Sequence, residues 1–201
     1  MGINVDVVEE QRLPDGDFPT VGMPNPEQPD ALALGIKLAE KTGADAVIGT
    51  DPDCDRMGVA VRDSEGRFML LTGNQTGALL MDYILMRRAE RGDLPANGAV
   101  VKTIVTTRLA DKIAAHYGVK SFDVLTGFKF IGEKIKEWES SGEYTFLFGY
   151  EESYGYLSGT HARDKDAVVA SMLFAEMVCY YQYKGKRVCD RLNELFGMFG
   201  C

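Results

Sequence analysis

From about residue 74 onward, short apolar runs of strand type alternate with longer runs whose apolar residues recur every three or four positions. The pattern predicts a helix from about Asn74 to Arg91, a strand Val100 to Val105, a helix Arg108 to Tyr117 and a strand Ser121 to Leu125. A helix with Phe128, Ile131, Ile135 and Trp138 on one face follows. Then come a strand Tyr144 to Phe148, a long apolar helix Asp166 to Tyr183 and a last helix ending near Phe196. Such alternation predicts an α/β class, in three layers with helices covering a sheet. With 45% hydrophobic residues among 201, the chain suits one large or two small cores, which excludes disorder, collagen and a disulfide scaffold. No internal repeat stands out.

The first third reads differently. Pro14 to Pro29 holds five of the seven prolines, so this stretch is neither helix nor central strand. A helix is expected from Asp30, taken as its N-cap, through Leu34 and Leu38 to a stop at Thr42-Gly43. The buried-type strand Ala46 to Gly49 leads into a polar loop, Thr50 to Arg56, and then to strands Gly58 to Val61 and Phe68 to Leu71. Residues 1 to 72 carry 14 acidic and 6 basic side chains, net −8, whereas residues 73 to 201 carry 16 of each. The step suggests two units, 1–71 and 72–201, the first built to hold a cation or a basic partner.

An overall charge of −8 repels a phosphate backbone, so nucleic acid is not an expected partner. No stretch reaches the roughly 18 apolar residues of a membrane span, and the start lacks a signal-peptide pattern, so a cytoplasmic location is expected. Cys54, Cys179, Cys189 and Cys201 form no Cys-x-x-Cys pair and read as free thiols rather than bridges or zinc ligands.

The most informative residues are Thr50-Asp51-Pro52-Asp53-Cys54-Asp55-Arg56. Asp51, Asp53 and Asp55 stand at alternate positions after a buried strand, and in an extended loop they would face one point. Three like charges held together call for a cation between them, and oxygen-only ligands point to a hard ion such as Mg²⁺. An EF-hand fails, because its sixth and twelfth positions are Arg56 and Arg62 instead of Gly and Glu. A haloacid-dehalogenase-like phosphatase, whose nucleophilic Asp also follows a strand, normally has Thr or Val where Asp55 stands.

Three further clusters carry chemistry. Gly149-Tyr150-Glu151-Glu152-Ser153-Tyr154-Gly155 leaves a strand with carboxylate and hydroxyl groups spaced to bind vicinal sugar hydroxyls. A charged structural turn gives the same letters. His161 to Asp166 opens the long helix, with Asp164 or Asp166 as its cap. Leu125 to Gly132 lies at a strand-to-helix junction, where a Thr hydroxyl and free N–H groups face a ligand while Phe128 and Phe130 serve the core.

These four stretches, in this order, resemble the α-D-phosphohexomutase superfamily, which contains the phosphoglucomutases and phosphomannomutases. The resemblance spans nearly the whole chain. It implies mixed sheets in α/β/α units, with residues 1–71 as the latter part of domain two and 72–201 as domain three. It also implies that Asp51, Asp53 and Asp55 ligate Mg²⁺ with Arg56 beside it. Thr126, Gly127, Glu151 and Ser153 would line the sugar site, and Lys165 would approach the substrate. Cys54 stands where the family has a small residue and is expected to point away from the ion. The implied reaction moves a phosphoryl group between O1 and O6 of a hexose phosphate, through a phosphoserine and a bisphosphate, with glucose 1,6-bisphosphate as activator. The serine loop of domain one and the phosphate-gripping loop of domain four do not occur in this sequence, so those domains are the expected partners and the chain alone is expected to be inactive. The alternatives are a phosphopentomutase of the same superfamily, a non-catalytic module that binds sugar phosphate or metal, and a haloacid-dehalogenase-like phosphatase.

Overall fold

A computed structural model describes residues 3–200. After an extended, largely exposed segment with a single 3-10 turn at Glu9–Gln11, helix α1 covers Pro29–Thr42. Its N-cap is Gln28 rather than the expected Asp30. Pro29 takes the first helical position, where its missing N–H costs nothing and its fixed φ already suits the helix, so Asp30 falls within the first turn. Gly43, in the left-handed region with φ of 77°, ends the helix as expected.

Strands β1 (Ala46–Thr50), β2 (Met57–Arg62) and β3 (Phe68–Leu71) then form an antiparallel sheet in sequence order. Helix α2 (Gly73–Arg91) starts on a capping box, in which Thr72 accepts from the Gln75 N–H and Gln75 accepts from the Thr72 N–H. The second sheet comprises β4 (Gly98–Thr103), β5 (Lys120–Val124), β6 (Thr145–Glu151) and β7 (Gly155–Ser158) in the order β5-β4-β6-β7. Its first three strands are parallel and β7 is antiparallel, so this sheet is mixed. Helices α3 (Leu109–His116), α4 (Phe128–Ser141), α5 (Ala167–Tyr183) and α6 (Val188–Phe199) complete the chain.

The layers follow from alternation along the strands. On β4, Ala99 and Val101 face α4 and pack with Phe128, Ile131, Ile135 and Trp138, while Val100 faces the larger cluster under α2, α3, α5 and α6. That larger cluster also takes in Met57, Val59, Val61 and Leu71 from the first sheet, so one core runs across both sides of Thr72. The opposite face of the first sheet, at Val47 and Ala60, is covered by Leu32 and Ala39 of α1. No helix among the described residues is long and apolar enough to cross a membrane.

Two expectations are corrected here. β4 stops at Thr103 instead of running to Val105, because the chain turns back with Thr106 N donating to Thr103 O, and Ile104 and Val105 are left exposed. A repeat is also present. α1, a three-residue link opened by a left-handed glycine, β1, a charged loop and antiparallel β2 recur as α4, a three-residue link opened by left-handed Gly142, β6, a charged turn and antiparallel β7. Cys54 in the first loop and Tyr154 in the second both have positive φ, 58° and 65°. The two copies share element order and a positive-φ residue in each loop, but the loops differ in length and in letters, which is why the sequence hides them.

Candidate metal and sugar site

Asp51 follows β1, and its Oδ1 accepts from the backbone N–H of Asp55 (3.0 Å) and of Arg56 (2.9 Å), while its carbonyl accepts from Cys54 N (3.0 Å). The loop is therefore a tight turn wrapped around Asp51, not the extended segment expected. The carboxylates of Asp51, Asp53 and Asp55 still converge, with one oxygen of each lying within 4.8 Å of the others. They do so because the turn folds back, helped by the left-handed Cys54, rather than by strand alternation. Cys54 itself packs against the main core.

The electrostatics of the turn are those of an acidic cluster short of positive charge. Burial and the neighbouring charges of Asp55 and Asp53 push the Asp51 carboxyl above its ordinary range, against the lowering effect of the Arg56 N–H. Burial also acts on Asp55, but there the hydrogen bond from Lys165 prevails and holds the carboxyl below its usual range. Asp55 Oδ1 is buried and has no hydrogen-bond partner. An all-oxygen donor set with an orphaned, inward carboxylate oxygen fits a hard divalent cation. Arg56 flanks the cluster, its Nη1 3.4 Å from Glu27 Oε1 and its Nε 3.8 Å from Asp55 Oδ1.

The second loop sits at the topological switch point of the mixed sheet. The chain moves from β4 to β5 on one side and returns to β6 on the other, and crevices at the carboxyl ends of two such strands are where open α/β sheets bind ligands. Those ends carry Thr103 and Glu151. Glu151 is 7% exposed and closes β6, three residues beyond the strand end expected at Phe148. Burial pushes its carboxyl up, while the Lys165 charge and the nearby Ser153 side chain pull it down less strongly. Glu152 points the other way: its Oε2 accepts from Thr103 Oγ1 at 2.9 Å and Thr106 Oγ1 at 3.4 Å, fastening the loop to the end of β4.

The two loops meet although they are far apart in the chain. Met57 N donates to Tyr154 O at 3.0 Å, Arg56 bridges Gly155, and Ala167 N at the start of α5 donates to Cys54 O at 3.1 Å. Lys165 lies in the seam, its Nζ 3.0 Å from Asp55 Oδ2, 3.2 Å from Asp164 Oδ1 and 4.0 Å from Glu151 Oε1. Burial works to lower its affinity for the proton, but the bonds to Asp55 and Asp164 outweigh it and hold the ammonium charged. Gly155 gives the lysine its path, since a Cβ there would collide with the Lys165 side chain. Asp166 caps α5, accepting from Val169 N at 2.9 Å and pairing with His161 Nε2 at 2.7 Å.

Of the expected site residues, Asp51, Asp53, Asp55, Arg56, Glu151, Ser153 and Lys165 come together. Thr126 is exposed, Gly127 opens α4 with φ of 118°, and among the described residues no hydrogen bond joins either to the others. Phe128, next in the chain, forms the link, because the Lys165 ammonium lies 5.7 Å from its ring centroid. Sequence reasoning passed over Glu27, Thr103, Thr106 and Glu152. Glu27 lies in a proline-rich stretch without periodicity, Thr103 reads as an ordinary strand residue and Thr106 as part of the link to the next helix.

The family model for phosphoglucomutase/phosphomannomutase alpha/beta/alpha domain II matches residues 1–66, and that for domain III matches residues 72–199. The chain is 40% identical over 190 residues to a phosphoglucomutase of Staphylococcus epidermidis, and 36% identical over 195 residues to one of Staphylococcus aureus, covering 94% and 97% of this chain. It spans only 34% of the length of either relative. The fold resembles the crystal structure of a phosphoglucomutase/phosphomannomutase family protein from Burkholderia thailandensis (TM-score 0.69, 20% identity), covering 90% of this chain and 35% of that one. It also resembles the open form of a Paramecium phosphoglucomutase, parafusin (TM-score 0.64, 23% identity), covering 89% of this chain and 30% of that one. Both matched models and the two relatives, read with the paired loops, lead to one conclusion: the chain belongs to the phosphoglucomutase/phosphomannomutase family and carries sequence of its domains II and III.

Proposed function

We propose that this chain is the metal-binding and sugar-binding part of a phosphohexomutase, with residues 1–71 acting as the end of domain II and residues 72–201 as domain III. The parent enzyme, in this reading, moves a phosphoryl group between O1 and O6 of a glucose or mannose phosphate through a phosphoserine and a bisphosphate intermediate, with glucose 1,6-bisphosphate as activator. The observation that supports it most is the meeting of the two loops across Lys165, which sets an acidic cluster beside the buried Glu151 carboxylate.

Asp51, Asp53 and Asp55 would hold Mg²⁺, and the bound ion would supply neutralisation of charge that develops on a transferred phosphoryl group. The chain's own residues do the rest of their share. Glu151 accepts, and Ser153 donates or accepts, hydrogen bonds to sugar hydroxyls, and both must serve two orientations of one sugar. Arg56 and Lys165 place positive charge beside the acidic turn, where an incoming phosphate needs it. The catalytic serine and the grip on the distal phosphate belong to domains I and IV of the parent chain.

The test is a coupled conversion of glucose 1-phosphate to glucose 6-phosphate with Mg²⁺ and glucose 1,6-bisphosphate. The purified chain should be silent, because phosphoryl transfer depends on positioning by groups it lacks. A chain with domains I and IV restored should turn over, and Asp51→Ala should abolish that turnover. Robust activity of the short chain that disappears in Asp51→Ala would overturn the reading.

A further inference from the structure

The Lys165 ammonium lies within 4.0 Å of a carboxylate on each loop. We propose that Lys165 and a divalent cation compete for Asp55, so that cation binding at the acidic turn transfers the ammonium to Glu151 on the sugar loop. This rests on the metal assignment made above and adds to it a coupling between the two sites.

The backbone under the lysine is fixed. Lys165 N donates to Asp164 Oδ1 at 2.8 Å, Asp166 N to Tyr156 O at 2.8 Å, and Ala167 N to Cys54 O at 3.1 Å. Only the side chain is left to move, along the groove that Gly155 opens. At present its Nζ sits on Asp55 Oδ2 at 3.0 Å, with Glu151 Oε1 only 4.0 Å away. A cation shared by all three aspartates takes an oxygen of Asp55, and the unpartnered Oδ1 is the one open to it, which sets the ion and the Lys165 ammonium on the two oxygens of one carboxylate. An ammonium and a divalent ion on one small carboxylate repel each other at close range, where screening is weak.

The displaced ammonium has a destination. Glu151 is nearly buried, and among the described residues Lys165 is its cationic partner. A shift of about an ångström brings the ammonium into hydrogen-bond range of that carboxylate. The face of the Phe128 ring flanks the route. The sugar loop thus gains its compensating charge when the acidic turn is loaded, which favours binding the cation before the sugar phosphate.

Two measurements on this chain test the exchange. In calorimetric titration with Mn²⁺, Lys165→Met should bind roughly tenfold more tightly than wild type, the effect of removing one competing charge at contact distance. Lys129→Met, which removes a cation outside both loops, should stay within about twofold of wild type, and Asp53→Asn should lose most of the binding. A crystal structure of the Mn²⁺-loaded wild type should show Nζ within about 3 Å of Glu151 and off Asp55. Mn²⁺ binding that needs Asp53 but is no tighter in Lys165→Met, or a loaded structure with the ammonium still on Asp55, overturns the exchange while leaving the metal site standing. No Mn²⁺ binding by wild type overturns both.

Discussion

Single residues at this site act through what they leave unsatisfied. Glu151 is nearly buried with burial raising its carboxyl, so it holds a charge poised for hydroxyl groups that replace lost water. In the parent enzyme with its other domains restored, Glu151→Gln and Ser153→Ala should each lower kcat/KM by roughly ten- to hundredfold, the kinetic equivalent of one or two hydrogen bonds that the transition state also uses. Steady-state kinetics with glucose 1-phosphate measures this, and unchanged kinetics in both variants would return the loop to a structural turn. The aspartate spacing was legible in the sequence, and so was the family resemblance. The reason the carboxylates converge was not, because it depends on two backbone N–H groups folding back onto Asp51 and on a non-glycine residue with positive φ.

Elements carry these residues, and the start of α5 matters most because it holds Lys165. Asp166 caps the helix and pairs with His161, and its backbone N–H ties it to β7 through Tyr156. Burial would raise its carboxyl, but the bonds from His161 and from the N–H groups of Val169 and Val168 hold it below the usual range. A depressed carboxylate contributes stability that is complete above its unfolded pKa, about 3.9, and is lost as pH falls through the lower folded value. Asp166→Ala should therefore destabilise the chain by about 1 kcal/mol near neutral pH and flatten the loss of stability below about pH 4. Urea unfolding from pH 2.5 to 7 reads both effects, and a mutant with the wild-type pH profile would refute the role of the cap. Some caps were legible in the sequence, Gly43 and Asp166 among them, whereas the Thr72–Gln75 box and Gly142 came only from the structure and Asp30 gave way to Gln28. Strand ends were less so, since β-branched Ile104 and Val105 read as strand yet form the turn that stops β4, and four-residue β7 carried too short a pattern to register.

For the whole molecule, the decisive fact is that one apolar core crosses Thr72 and unites β2 and β3 with α2, α5 and α6. A buried polar tie reinforces it. Arg191 of α6 donates two hydrogen bonds to Asp82 of α2, at 2.8 and 2.9 Å, and Tyr117 after α3 donates a third at 3.0 Å. Arg191→Met would leave Asp82, 1% exposed, without its counter-charge, and should cost about 3 kcal/mol. Because the core is shared, Trp138 fluorescence, which reports the cluster under α4, and far-UV circular dichroism should show coincident urea transitions in both wild type and variant. Two separate transitions would show that residues 1–71 and 72–201 melt independently.

The sequence by itself determined the α/β class, nearly all the helices and strands, and the places of the two charged loops. Each of these is encoded by residues within a few positions of one another, through helical or strand periodicity, capping side chains and turn chemistry. Only the tertiary structure decided that the two loops abut, that Lys165 spans them, and that Glu27, Thr103, Thr106 and Glu152 stand behind them. The reason is physical: those contacts depend on how β2 packs on α5 and α6 and on hydrogen bonds such as Met57 to Tyr154, which join residues remote in the chain and leave no local pattern.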